Sequence, residues 1–207
     1  MTEDHPAASL PDRIIGLYER HARAFDRDRG KSLFEQPWLD RFLDLVPEGG
    51  SILDIGCGSG EPIARHLIDR GAAVTGIDSS PTLLSLCRER FPGHDWILAD
   101  MRGLALARRF HGLIAWDSFF HLAQDDQRRM FEVFARHADQ GAALMFTSGP
   151  AHGEAIGTYR GEPLYHASLD GAEYRGLLRA NGFAVVAHKV EDPDCGGRTV
   201  WLARQES

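Results

Sequence analysis

Ser51-Ile52-Leu53-Asp54-Ile55-Gly56-Cys57-Gly58-Ser59-Gly60 is the stretch on which the fold turns. A short apolar run carrying one acid is followed at once by three glycines at alternate positions. Such a run bounded by glycine reads as a buried strand, and the glycines let the backbone turn tightly and approach a ligand with no Cβ in the way. Helical spacing begins again at Pro62 and continues to Arg70, so the unit is strand, glycine loop, helix. The same alternation continues downstream. Ala73 to Ile77, Trp96 to Ala99, Leu113 to Trp116 and Ala142 to Phe146 read as strands, and Pro81 to Arg90 and Asp125 to Ala138 as helices. Ser79-Ser80 before Pro81 supplies a hydroxyl cap and a first-turn proline. Strand and helix in strict alternation predict right-handed crossovers and an α/β, doubly wound parallel sheet.

The two ends depart from this rhythm. Asp170 with Glu173 reads as a capping box, Tyr174, Leu177 and Leu178 as an apolar stripe, and Asn181-Gly182 as a helix end. Phe183 to Val190 and Thr199 to Ala203 then flank a short polar stretch at hairpin spacing, which predicts an antiparallel last pair. At the other end, Asp12 to Arg29 is helical, with Tyr18, Ala22, Phe25 and Arg29 on one face. That face either packs on the domain or closes over a ligand. The segment Gly149 to Ser168 is long for a connection and holds Pro150, Gly153, Gly157, Gly161 and Pro163. It also carries His152, Tyr159, Tyr165 and His166, so it reads as a substrate lid loop, with a plain surface loop as the alternative.

The chain has 207 residues, 23 Lys+Arg against 30 Asp+Glu, and a net charge of −7. That size fits one domain with a full core. The acidic balance disfavours nucleic acid, which is held by clustered Lys and Arg; the pairs Arg108-Arg109 and Arg128-Arg129 read as solvated edges. No run approaches the roughly 20 apolar residues of a membrane span, and acidic MTEDHPAASL is unlike a signal peptide, so the expected location is the cytoplasm. Cys57, Cys87 and Cys195 offer neither a disulfide framework nor a CxxC pair; they are expected to be free thiols, and no metal site is expected.

Acids punctuate the strand ends. Asp54 precedes the glycine loop and suits a cationic amine. Asp78 ends the second strand, 18 residues past Gly60, where a carboxylate can take two hydrogen bonds from a ribose diol. Asp100 ends the third, where it can take an exocyclic amine proton, with Met101 beside it to lie on an adenine face. A nicotinamide-type GxGxxG loop is excluded by Glu61, an anion where the third glycine beside the pyrophosphate belongs. After the fourth strand come Trp116, Asp117 and His121; His121 either has the chemistry of a base near neutral pH or is packed behind the site and hydrogen-bonded to backbone.

LDIGCGSG, VTGIDSS, LADM and FHGLIAWDSFFHL together resemble the motifs of class I S-adenosylmethionine-dependent methyltransferases, small-molecule type, over about Pro37 to Ala203. The resemblance implies a Rossmann-like seven-stranded sheet in the order 3-2-1-4-5-7-6 with the last strand antiparallel. It also implies an N-terminal lid helix over residues 1–36, ahead of a domain over 37–207. S-adenosylmethionine is the implied cofactor, held by Tyr18, Arg29, Asp54, Gly56, Gly58, Gly60, Asp78, Ser79, Asp100, Met101 and Trp116. His121 and Asp117 become candidates for catalysis, and His152, Tyr159, Tyr165, His166 and Arg198 for the substrate. The expected activity is methyl transfer to an O, N or S atom of a small metabolite by a monomer or homodimer, with no membrane partner. The alternatives are an RNA or protein methyltransferase and a non-catalytic cofactor-binding regulatory domain.

Overall fold

Strand β1 (Ser51–Ile55) runs through the middle of a seven-stranded sheet in a computed structural model that describes residues 9–206. The acidic N-terminal stretch read above lies, up to residue 8, outside the described residues. Two helices precede the sheet, α1 (Leu10–Asp28) and α2 (Gln36–Leu43). After β1 come α3 (Ile63–Asp69), β2 (Ala73–Asp78), α4 (Pro81–Arg90), β3 (Asp95–Leu98), β4 (Phe110–Ala115), α5 (Gln124–His137) and β5 (Ala138–Ser148). The remainder is a separate hairpin, β6 (Gly153–Tyr159) and β7 (Glu162–Ser168), then α6 (Gly171–Ala180), β8 (Phe183–Asp192) and β9 (Arg198–Gln205).

The sheet order is β3-β2-β1-β4-β5-β9-β8, with β9 antiparallel to both neighbours and the pairs among β1 to β5 parallel. This is the expected topology with the last two strand numbers raised by two, because Gly149 to Ser168 is not a structureless loop. Its Arg160-Gly161 turn, both residues at positive φ, folds the segment into an antiparallel pair with Tyr159 opposite Glu162. The glycines and prolines that suggested a loop sit at the turn and along an edge where nothing else pairs.

Alternation along the strands feeds two cores. Leu53 and Ile55 join Phe110, Phe131, Phe146 and Trp201 beneath α5 and α6, whereas Ile52 joins Val74, Trp96, Ile114 and Met145 on the other face. Ser80 caps α4 by accepting a bond from the Leu83 amide at 3.1 Å, as expected. The capping box at α6 forms only half: Asp170 accepts from the Ala172 amide, but Glu173 turns away to Arg128 at 2.6 Å. The competing cation on α5 outbids the cap and ties α5 to α6.

Candidate active site

The carboxyl ends of β1, β2 and β4 and the chain just after β3 open into two adjoining cavities that share Tyr18, Phe25, Gly56, Gly58, Asp117 and His121. Helix α1 roofs both, because its predicted inner face delivers Tyr18, Phe25 and Arg29 to their walls while Leu17 and Ala22 are buried. The amphipathic spacing thus does both jobs that the sequence left open: it packs the helix and covers a hollow.

In the first cavity, Asp78 and Ser79 face Met101 and Asp100, with Ile77, Ala99 and Leu83 as apolar walls. Asp78 binds the glycine loop to β2: one oxygen accepts the Gly58 amide at 2.9 Å and the other the Ser80 amide at 2.8 Å. Burial raises its pKa, against those amides. Each oxygen keeps a lone pair for a ligand hydroxyl. Asp100 is chelated by the Arg102 guanidinium, which also reaches Asp12 on α1 at 2.8 Å. Arg102 went unnoticed in the sequence, yet it is the clasp between the third acid and the roof. Its signal was position, two residues beyond an acid in a turn.

The second cavity, about 390 Å³, is lined by Asp54, Gly56, Gly58, Trp116, Arg29 and Asp117 and, toward the hairpin side, by Phe120, His166 and Arg198. Asp54 is almost wholly buried, and burial, with the nearby Asp78 charge, pushes its carboxyl up to about 7. The Trp116 indole N–H is also buried with no partner among the described residues. A buried acid and an orphaned donor in one wall fit a ligand carrying both a cation and acceptors, which is what an amino-acid moiety presents. Gly56, at φ 78, lets the loop pack against the Ser118 side chain, whose hydroxyl donates to the Ile55 carbonyl at 2.7 Å.

Several expected positions lie elsewhere. Gly60 faces away from both cavities; a Cβ there would meet the Phe91 ring at 2.8 Å, so its role is close packing of the loop on the end of α4. Tyr159 donates to Asp28 at 3.1 Å on the outer side of the roof, and His152 is exposed beside Gln124. Tyr165 is buried, with its hydroxyl on Glu154 at 2.8 Å and its carbonyl on His121. Of the four hairpin residues nominated for substrate, His166 alone reaches the second cavity. Strand alternation explains the split, since Tyr165 and His166 point to opposite faces.

Burial drops the His121 pKa to about 4, outweighing the Tyr165 carbonyl, which accepts from Nδ1 at 2.8 Å. That bond places the proton on Nδ1 and leaves Nε2 as an acceptor, 2.9 Å from the Tyr18 hydroxyl. Asp117, at φ 48, receives Arg198 at 2.9 Å and Arg29 at 3.4 Å. No group of three or more potential metal ligands occurs among the described residues.

Residues 52–141 match the family described as a methyltransferase domain. The chain is 37% identical over 134 residues, 64% of its length, to dTDP-3-amino-3,6-dideoxy-alpha-D-glucopyranose N,N-dimethyltransferase of Streptomyces fradiae, covering 51% of that protein. It is 28% identical over 138 residues, 66% of its length, to malonyl-[acyl-carrier protein] O-methyltransferase of Salmonella typhimurium, covering 50% of it. The chain thus spans about half the length of these curated relatives. In fold it is similar to magnesium protoporphyrin IX methyltransferase from Synechocystis, with a TM-score of 0.72 at 17% identity, over 98% of this chain and 100% of that one. The matched segment, the order of the seven strands and the glycine loop between β1 and α3 give this chain the α/β Rossmann-like fold of S-adenosylmethionine-dependent methyltransferases, with residues 52–141 similar to their methyltransferase domain.

Proposed function

We propose that the protein transfers a methyl group from S-adenosylmethionine to a small molecule, with an amine nitrogen as the favoured acceptor among O, N and S. The observation that carries the reading is the pair of adjoining cavities, which brings Asp54, Asp78 and Asp100 from three adjacent strand ends under one aromatic roof. Bound there, S-adenosylmethionine supplies an electrophilic methyl on a sulfonium. The chain supplies placement. Asp78 and Ser79 hold the ribose, Asp100 and Met101 the adenine, Asp54 the ammonium and Arg29 the carboxylate, with Gly56, Gly58 and Trp116 forming the wall between them. Among the described residues, the segment from 9 to 36 serves as the lid of the domain that follows, and Phe25 and Tyr18 keep water from the reacting end.

A hydroxyl acceptor calls for a strong base, which a buried imidazole titrating near 4 does not provide. A neutral amine needs only alignment and a hydrogen-bond acceptor, and the Tyr18 oxygen, its own proton held by His121 Nε2, offers that acceptor. The sugar-amine dimethyltransferase relative is consistent with that preference. Arg198 and His166 border the space left for the acceptor. Three buried thiols fit the reducing cytoplasm. No helix among the described residues is long and apolar enough to cross a membrane.

Calorimetry with S-adenosylhomocysteine, followed by incubation of the protein with a metabolite extract and a methyl-labelled donor, tests the proposal. Labelled amines among the products are expected. Binding of NAD in place of S-adenosylhomocysteine, or the absence of any labelled product, would sink it.

A further inference from the structure

Glu35 is fully buried, and only one of its oxygens has a partner: Oε1 accepts from Arg29 at 3.2 Å while Oε2 has none among the described residues. A carboxyl so placed costs stability. Burial raises its pKa, with the Arg29 charge opposing that rise and Asp117 adding to it. Its position accounts for its presence. Arg29 ends α1 and Glu35 starts α2, so the pair closes the link between the roof and the body of the domain. The preceding residue, Phe34, lies under the Arg198 guanidinium at 4.6 Å. Two adjacent residues therefore seat the two arginines that converge on Asp117. Asp117 holds Arg198 through three contacts of 2.9 to 3.3 Å but Arg29 through a single one at 3.4 Å. Arg29 is thus fixed from behind by Glu35 and only loosely engaged in front, facing the cavity.

We propose that Glu35 is a positioning residue that holds Arg29 ready for an incoming carboxylate, and so selects ligands that carry the amino-acid end of the cofactor. This rests on the cofactor reading above. The charge pattern agrees: a carboxylate arriving at Arg29 displaces only the long Asp117 contact, and Asp117 keeps Arg198. The bond to Arg29 uses one carbonyl-type oxygen, so glutamine at this position preserves it whether or not Glu35 is ionised.

The experiment compares S-adenosylhomocysteine with 5′-methylthioadenosine, which shares the nucleoside and sulfur but lacks the amino-acid end. Calorimetry on Glu35→Leu, which keeps the volume, is expected to show at least a tenfold loss of S-adenosylhomocysteine affinity and no more than a twofold change for methylthioadenosine. Glu35→Gln should stay within threefold of the unaltered protein for both ligands. Arg29→Gln should show the same selective loss, and the double variant Arg29→Gln with Glu35→Leu should lose little more, since the two act as one unit. Should Glu35→Leu fail to fold, the Glu35→Gln and Arg29→Gln comparisons carry the test. Unchanged S-adenosylhomocysteine binding in Glu35→Leu, an equal loss for both ligands, or full additivity with Arg29→Gln overturns the proposal. If the unaltered protein binds neither ligand, the cofactor reading itself fails, and this proposal with it.

Discussion

The Tyr18 hydroxyl meets His121 Nε2 at 2.9 Å across 103 residues of sequence, while the opposite ring nitrogen is held by the Tyr165 carbonyl at 2.8 Å. Roof helix, sheet edge and hairpin are thereby joined through one imidazole. Removing the hydroxyl strips the buried Nε2 of its donor, and an unmet buried polar group costs about 1 to 3 kcal/mol. Tyr18→Phe is therefore expected to lower kcat roughly 10- to 100-fold, with S-adenosylhomocysteine affinity within about threefold because the ring still packs edge-on against Phe25. Steady-state kinetics together with calorimetry check this; a large loss of affinity at unchanged kcat would show Tyr18 to be lid packing alone.

Asp54 gives a proton signature for cofactor binding. With its carboxyl pushed up to about 7, it is largely protonated at pH 6 and must ionise to pair with an ammonium. S-adenosylhomocysteine binding at pH 6 should therefore release close to one proton, falling toward none at pH 8.5. Calorimetry in buffers of different ionisation enthalpy measures the count. For stability the sign runs the other way from an ordinary carboxylate: the raised folded pKa favours the fold below the unfolded value and withdraws that support as pH rises through about 7. Asp54→Asn should thus melt higher than the unaltered protein at pH 8, by at least about 3 °C, while losing the ligand.

His121 reports in acid. Its folded pKa of about 4 lies below its ordinary 6.5, so its contribution is fully present above 6.5 and is lost as pH falls toward 4. Denaturant midpoints for His121→Gln should vary less between pH 7 and 4 than those of the unaltered protein. Identical slopes would place the imidazole in water.

Most of the scaffold was legible because periodicity and glycine are local signals. Ile52 and Leu53 alternate between cores, the loop glycines follow the strand, and Ser80 caps where its hydroxyl and Pro81 suggest. What escaped depends on partners far along the chain. Glu173 satisfies the capping-box spacing but finds Arg128, 45 residues away. Tyr159 and His152 have the chemistry of a substrate segment, yet pairing in a hairpin decides which side chains face the cavity, and no spacing rule foretold that pairing. Gly60 belongs to the glycine loop by sequence but turns its missing Cβ to Phe91. Arg102 and Glu35, both ordinary surface residue types, became parts of the site only through contacts with Asp12 and Arg29.

Loss of the glycine loop's anchor gives a fourth test. Asp78→Ala removes the acceptor for the Gly58 and Ser80 amides as well as the two free lone pairs assigned to the ribose. Asp78→Asn keeps one carbonyl oxygen and so separates the two roles. Charge-assisted bonds are worth about 1.5 to 3 kcal/mol, so S-adenosylhomocysteine affinity should fall at least about tenfold in Asp78→Asn and further in Asp78→Ala. An unchanged dissociation constant in both would take Asp78 out of the site.

The roof and the hairpin should move as one body. The sequence alone suggests a helix that answers to cofactor and a loop that answers to substrate, but the structure ties them together. Glu162 bridges Arg20 and His21 of α1, Asp28 holds Arg160 at 2.7 Å and Tyr159 at 3.1 Å, and Ile14 packs with Tyr165 and Ala167. Ligand contacts made by Tyr18 and Phe25 thus reach the hairpin through paired charges and an apolar seam. Hydrogen exchange should show residues 10–28 and 153–168 gaining protection together with S-adenosylhomocysteine alone. In the double variant Glu162→Gln with Asp28→Asn, the helix should still respond while the hairpin loses most of its gain. Exposed ion pairs are screened by solvent and contribute little, so the sheet should melt within a few degrees of the unaltered protein. A hairpin silent to S-adenosylhomocysteine in the unaltered protein, or equally protected in the variant, would mean that the two segments act independently and that acceptor binding alone orders the hairpin.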